Sequence, residues 1–581
     1  MDHTVQNLRR GDFNLFDGRV FWPENKGEFL WSDNLFLPAL FFGIFKGLNP
    51  SLISAFWMTT MLFSFLGYLS YCLFFYLLFR IARDNLPELP AGSVFFVPIF
   101  GYLAAFSSSR MIYFAHFQNL SSLWLFILLA GGIGYRHSGE KKFFTAMIAS
   151  EVLLLYSAPY FALLGAAYIL AWFLYQFFLS RRDILRILWE NRLIIIISLP
   201  PFAFLAQAYF RTDRPCFSPT FIHQMATRFS HLYTPTSSLA RQVADGLFPQ
   251  LSRISHESPA WLGSGLILAL LIIFVWRIPA LGRWLRKAGR KLGFWIATLI
   301  LGFTRFGLGG VRRYTCWTGA VTMAIVLIVF IRETTRHARK DALLLPFSFL
   351  IFAALLTYGI ALGPVEKFSD QAINPSIWGL LAFLMPGITS MRAVGRLAVV
   401  GQGIIIALLL LTLLLILGRT PRKKRIWVIL IAAFLIAIQF TGQLHSQIII
   451  NRYHAELLAP TAAERDWFSK ISGIAAVFPS RPFHFNTRAM LYFNNFPRLY
   501  LMNGYSSRST KLWDRVMELA ERNREPTKEQ IREVKLNGAD YLVVMKYWTK
   551  AWKLKQLKND YGQPIFESER ILVIATGRSR E

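Results

Sequence analysis

The chain has 581 residues, 54% of them hydrophobic and 16% aromatic, and the apolar residues gather into runs too long for the core helices of a soluble domain. A formal charge of +30 suggests nucleic acid until the charges are placed: much of the excess lies in short clusters between apolar runs, which is how cytoplasmic membrane loops are marked and not how a nucleic-acid footprint is laid out. Cys72, Cys216 and Cys316 make neither a disulfide framework nor a CxxC metal pair.

A hydrocarbon core of about 30 Å needs roughly 20 apolar residues per helix. Stretches such as Leu193–Phe210, Leu262–Trp276 and Gly403–Leu417 come close to that. Backbone groups in lipid must pair internally, so these stretches are helices. The pattern predicts about twelve spans, near 52–79, 91–109, 119–135, 143–158, 160–180, 193–210, 260–277, 294–311, 314–331, 342–362, 396–417 and 426–442. Basic clusters follow every second span, from Arg136, Lys141 and Lys142 to Arg422, Lys423, Lys424 and Arg425, which assigns those loops to the inside and the rest to the outside. The pair 294–331, with Arg312 and Arg313 in an outer turn, fits least well, but deleting one span there inverts half of the basic clusters.

By this alternation Met1–Pro50 lies outside, yet it carries no signal peptide. A helix upstream of Met1 would account for that, with N-out insertion as the alternative. Three organisational segments are expected: an outer segment 1–50, a polytopic domain 51–443 with long outer loops at 211–259 and 363–395, and an extracytoplasmic α/β domain at 444–581. In the last of these, Thr461–Lys470 reads as a helix with Thr461 and Glu464 as a capping box, Gly473–Phe478 as a buried strand, Lys511–Asn523 and Lys528–Leu536 as helices, Gly538 as a helix stop, and Tyr541–Met545 and Ile571–Ala575 as strands. No glycine-rich phosphate loop or nucleophile motif is found there.

Asn14-Leu-Phe-Asp17-Gly-Arg-Val-Phe-Trp-Pro23, followed by Trp31-Ser-Asp33-Asn-Leu, resembles the first outer loop of the GT-C superfamily, polytopic glycosyltransferases that use polyprenyl-phosphate sugars. His116-Phe-Gln118, Tyr156-Ser-Ala-Pro-Tyr160, Leu362-Gly-Pro364, and Met385-Pro-Gly387 with Arg392 and Arg396 resemble later segments of the same family, in order. Leu501-Met-Asn503-Gly504-Tyr505-Ser506 and Gly538-Ala-Asp-Tyr541-Leu-Val-Val544 resemble the outer C-terminal domain of bacterial members that include the YfhO-like proteins. The fold class is therefore an α-helical polytopic membrane protein of GT-C-like type with a small C-terminal α/β domain. The family's usual acidic residue after the first helix would fall upstream of Met1, and without that helix and loop the chain is expected to transfer sugar poorly.

Sugar transfer from a lipid phosphate needs a base for the acceptor hydroxyl and cations for the departing phosphate. The resemblance places Asp33, then Asp17, as the carboxylates near the site; the structural alternative for Asp33 is capping the helix that begins around Leu35. Arg392 and Arg396, four apart at the outer mouth of the eleventh span, suit a phosphate, with snorkelling to water as the alternative. His116, Gln118 and Tyr160 are expected to contact substrate, with a satisfied interfacial residue as the alternative for His116; Glu151, inside an apolar run, needs a partner or a cavity, with a protonated or paired structural Glu facing the bundle as its alternative. His223, His231 and Glu257 have ligand chemistry but no metal spacing, so no cofactor is implied. The expected partners are membrane lipid and a polyprenyl-phosphate sugar, not nucleic acid. Two other functions stay open: a transporter or flippase of lipid-linked precursors, which would be expected to show internal repeats that this chain lacks, and an inactive scaffold of the same fold.

Overall fold

The computed structural model describes residues 4–5, 35–49, 52–107, 117–179, 181–210, 222, 343–364, 376–384, 394–444, 460–479, 492–493, 496, 498–503, 511–519 and 526–577. Where the sequence runs apolar it folds as helix: α1 Phe36–Leu48, α2 Leu52–Asn85, α3 Phe96–Ala105 behind a 3-10 turn at Ala91–Phe95, and α4 Leu123–Ser138 behind a single turn at Phe117–Leu120. There follow α5 Lys141–Leu155, α6 Pro159–Leu179, α7 Arg181–Glu190, α8 Arg192–Phe210, α9 Leu344–Ala361, α10 Ile377–Leu384, α11 Ala398–Arg419 and α12 Arg425–Leu444. Nine of the twelve expected spans are thus helical, and the other three, 260–277, 294–311 and 314–331, lie outside the described residues. Among the described residues four helices, Ser54–Asn85, Phe117–Ser138, Pro159–Leu179 and Val394–Arg419, are long and apolar enough to cross a membrane, and the bent pair α7–α8 makes a fifth if taken as one span.

The chain divides into two units, one of them Met58–Gln207 with Cys216–Ile448. In this unit α4 and α5 form a hairpin, turned at Gly139 with φ 71 and its N–H bonded to the Tyr135 carbonyl at 2.7 Å. Gly131, Gly132 and Gly134 let the neighbouring chains close on α4: a Cβ at Gly131 would stand 2.6 Å from the Phe143 carbonyl oxygen, and the Trp172 indole donates to the Gly132 carbonyl at 2.8 Å. Lipid tails give helices no hydrophobic reason to associate, so such close backbone approach is what holds them.

One end of this unit collects the basic loops. His137 Nε2 meets Asp84 Oδ2 at 3.1 Å, joining the ends of α4 and α2. Arg425 at the head of α12 faces Glu88 at 3.7 Å, and Gly418 packs on Leu86. Loops that the charge rhythm assigns to one side of the membrane therefore share one end of the fold. At the opposite end Phe117 stacks edge-on against Phe63 at 5.9 Å, and Ile377 of α10 fills the space over Gly359 of α9.

The other unit comprises Met1–Trp57, Ala208–Pro215 and Ile449–Glu581. Its C-terminal part holds α13 Ala462–Lys470, β1 Gly473–Phe478, β2 Leu499–Leu501, α14 Lys511–Glu518, α15 Lys528–Leu536, β3 Tyr541–Met545, α16 Ala551–Tyr561, β4 Phe566–Glu567 and β5 Ile571–Ala575. The sheet order is β2-β1-β3-β5-β4, with β1, β2 and β3 parallel and β5 antiparallel to both its neighbours. The short β2 and β4 are not legible in the sequence, because two or three residues carry no measurable alternation. Asn503 continues β2 with its side chain: its Nδ2 donates to the Val477 carbonyl at 2.7 Å and its Oδ1 accepts the Val477 N–H at 2.6 Å. Asp540 accepts the Ile474 N–H at 2.8 Å, beside Gly473 at φ 140. Both motif residues thus have structural work in the sheet.

The capping box is present, with Glu464 N–H on Thr461 Oγ1 at 3.2 Å and Thr461 N–H on Glu464 Oε2 at 2.7 Å. Burial pushes the Glu464 carboxyl up, but hydrogen bonds from Ser568 and Thr461 outweigh it and hold it below the ordinary carboxylate range. A depressed carboxyl stabilises the fold above that range and ceases to do so as pH falls through its folded value. We expect limited proteolysis of the tail in the full chain to accelerate below about pH 4 for this reason. Glu464→Gln should be less stable at neutral pH by about 1–3 kcal/mol and should show a flatter acid response.

Candidate functional site

The end opposite the basic loops gathers several of the polar residues expected at a site. The turn Phe117–Leu120 starts α4 with polar residues because its first N–H groups and last carbonyls need partners: Ser121 Oγ donates to the Phe117 carbonyl at 2.8 Å and Ser122 Oγ to the Asn119 carbonyl at 2.6 Å. Tyr160, in the first turn of α6, donates its hydroxyl to Asn119 Oδ1 at 3.0 Å. Asn119 is fully buried, and its Nδ2 has no hydrogen-bond partner among the described residues. Turning the amide over would hand the bond to Nδ2 and orphan Oδ1 instead, so one half of the amide stays open either way. Gln118 stands half-buried next to it. The structure therefore brings the Gln118 segment and Tyr160 together, through a residue that the sequence reading passed over. Its signal was an Asn at the mouth of an apolar run.

The late outer segment folds differently from a plain helix. Leu362-Gly-Pro364 ends α9, with Gly363 at φ 67 and its N–H bonded to the Ile360 carbonyl at 2.9 Å. Arg396 lies half-buried in the 3-10 turn Val394–Leu397, whose other residues are buried, and this turn packs on α9. Tyr358 packs against Gly401, where a Cβ would come within 2.7 Å of its ring, and the buried Tyr358 hydroxyl and Trp378 indole N–H have no partners among the described residues. Tyr168 of α6 is hydrogen-bonded to Thr357, which ties α6 to α9 across this region. A second cluster of aromatic polar groups is thus built around the segment that carries Arg396.

Asp17, Asp33, His116 and Arg392 lie outside the described residues. Helix α1 starts at Phe36, and its N-cap position belongs to Leu35, at φ 45 and with no side-chain cap. Asp33, the residue expected either to cap this helix or to serve the site, lies just before it and outside the described residues. Glu151 is buried against Gly165, and among the described residues its Oε2 finds no hydrogen bond. Among the described residues no group of three or more His, Cys, Asp or Glu converges to hold a metal ion, and His223, His231 and Glu257 lie outside them.

The long apolar helices, the shared basic end and the small sheet unit define a multi-pass α-helical membrane protein. No family model and no curated protein matches the chain. Among solved structures, the chain is similar to the crystal structure of ArnT from Cupriavidus metallidurans bound to undecaprenyl phosphate, at 12% identity and a TM-score of 0.28 over 93% of this chain and 87% of that one. A likeness at that score carries no argument for fold or chemistry.

Proposed function

We propose that this chain is a GT-C-type glycosyltransferase that moves a sugar from a polyprenyl-phosphate donor to a glycan, lipid or wall-polymer acceptor at the outer face of the cell membrane. The observation that supports it best is Asn119, a buried amide held by Tyr160 with one polar end unspent, at the end of the bundle away from the basic loops. A buried polar group without a partner costs about 1–3 kcal/mol, a cost that a sugar hydroxyl or phosphate oxygen arriving there offsets. In this reading Asp33, with Asp17 second in the same segment, supplies the base, Arg392 and Arg396 hold the donor phosphate, and His116, Gln118 and Tyr160 contact the substrate. The order of family-like segments along the chain supports these roles.

The reading requires the tail beyond residue 443 to be extracytoplasmic. Alkaline phosphatase fused after Leu444 should be active and after Lys424 inactive; equal or reversed activities remove the outer site.

Replacing Arg396 by Ala should weaken donor use by about ten- to hundred-fold, the loss of one charge-assisted phosphate contact of about 1.5–3 kcal/mol. Labelled sugar transfer is measured against donor concentration at matched protein level. An unchanged donor dependence leaves Arg396 only the role of reaching for water.

A further inference from the structure

The basic cluster 181–192, expected as a loop, is the helix α7 followed by the head of α8. At about 100° per residue its side chains fall into three flanks. Ile187 is buried and Ile184 half-buried on the side where α7 packs on α6. Leu185, Leu188 and Trp189 share the next flank and stay exposed, Leu185 at 73% and Trp189 at 68%. Arg186 and Glu190 take the third, as an ion pair at 3.2 Å.

The axis bends 73° between Ile184–Glu190 and Arg192–Leu205, so α7 turns sharply aside from the line of the apolar α8. Asn191 makes the bend: buried, it donates from Nδ2 to the Ile187 carbonyl at 2.8 Å and to the Tyr135 hydroxyl at 3.3 Å. Tyr135 belongs to the last turn of α4, beside the His137–Asp84 pair, so α7 lies at the basic end. Arg192 lays its guanidinium over the Trp189 ring at 4.3 Å and donates from Nη1 to the Trp189 carbonyl at 2.9 Å. Cation and indole are thereby held together as they are where chains meet lipid headgroups.

We propose that α7 and the head of α8 form a binding site for anionic phospholipid in the leaflet at the basic end, with Leu185, Leu188 and Trp189 among the acyl chains and Arg186 and Arg192 at the headgroup phosphates. Arg181, Arg182, Arg186 and Arg192 against Asp183 and Glu190 leave the segment positive, complementary to an anionic headgroup and indifferent to a zwitterionic one. Three apolar side chains fall far short of the roughly 1,000 Å² that a stable contact with a second copy needs. The site is independent of sugar transfer.

The test uses the full-length protein in detergent micelles holding equal dioleoylphosphatidylglycerol and dioleoylphosphatidylcholine, with retained lipid counted by native mass spectrometry. Phosphatidylglycerol should be retained in preference. Arg186→Gln with Arg192→Gln should lower that preference by about five-fold for each arginine, while the double lysine variant keeps most of it. Equal retention of the two lipids by the wild type, or the same preference in the glutamine variant, overturns the proposal. So does a dimer that Trp189→Ala dissociates, since a second copy then covers the flank. Should the glutamine variant not fold, the wild type decides the matter: its preference should fade between about 50 and about 500 mM salt, and a preference that persists is not electrostatic.

Discussion

Conversion of Asp33 to Asn is expected to lower sugar transfer from a polyprenyl-phosphate donor by about 10²–10⁴-fold, the contribution of a positioned general base. The amide keeps the shape of the carboxylate and cannot take the acceptor's proton, so the loss should fall on turnover, with donor binding little changed. Asp17→Asn serves as the comparison and should do less. Loss of a cap alone would lower stability by about 0.5–2 kcal/mol and not turnover at matched protein level, which separates that role from a base. The measurement is transfer of labelled sugar by the full chain in proteoliposomes at matched protein level. Transfer by Asp33→Asn equal to that of the wild type removes Asp33 as the base, whatever Arg396 does.

The largest loss of stability is expected from Gly131→Val in α4. A Cβ there would lie 2.6 Å from the Phe143 carbonyl oxygen and 2.7 Å from the Met147 nitrogen, both backbone atoms of α5 that no rotamer change can clear. Gly131→Ala should already cost about 1–3 kcal/mol, against about 1 kcal/mol that Ala gains over Gly in helix propensity. Valine adds two methyl groups to the same clash and should leave little monodisperse protein. Gly92→Ala, with nothing within 4 Å of its Cβ, should be neutral. Thermal unfolding and size-exclusion profiles in detergent compare the three; a Gly131→Ala protein as stable as Gly92→Ala would mean that α4 and α5 are not packed at backbone contact.

Much of the architecture was legible in the sequence for local reasons. Each span must satisfy its own backbone within lipid and is flanked by charges that cannot follow it in, so α2, α4, α6 and α11 could be read one at a time. The α13 capping box was equally local, three residues apart in the chain. The α7 helix carries apolar residues at helical spacing within a run of arginines, and charge of that density marks a loop as readily as a surface helix.

What only the tertiary structure decided are pairings between residues far apart in the chain and the turns that bring them together. Asn119 and Tyr160 lie 41 positions apart, and nothing in either segment says that one hydroxyl will take half of one amide and leave the other half open. Glu151 settles against Gly165, and Asn503 stands in for a strand residue beside Val477, by the same kind of distant choice. By itself the sequence determined where the long apolar helices run and, through its charges, which of their ends lie together, because water and lipid act on each residue separately. Which polar group meets which was left to packing, because a buried hydrogen bond depends on where two backbones have been carried by everything between them.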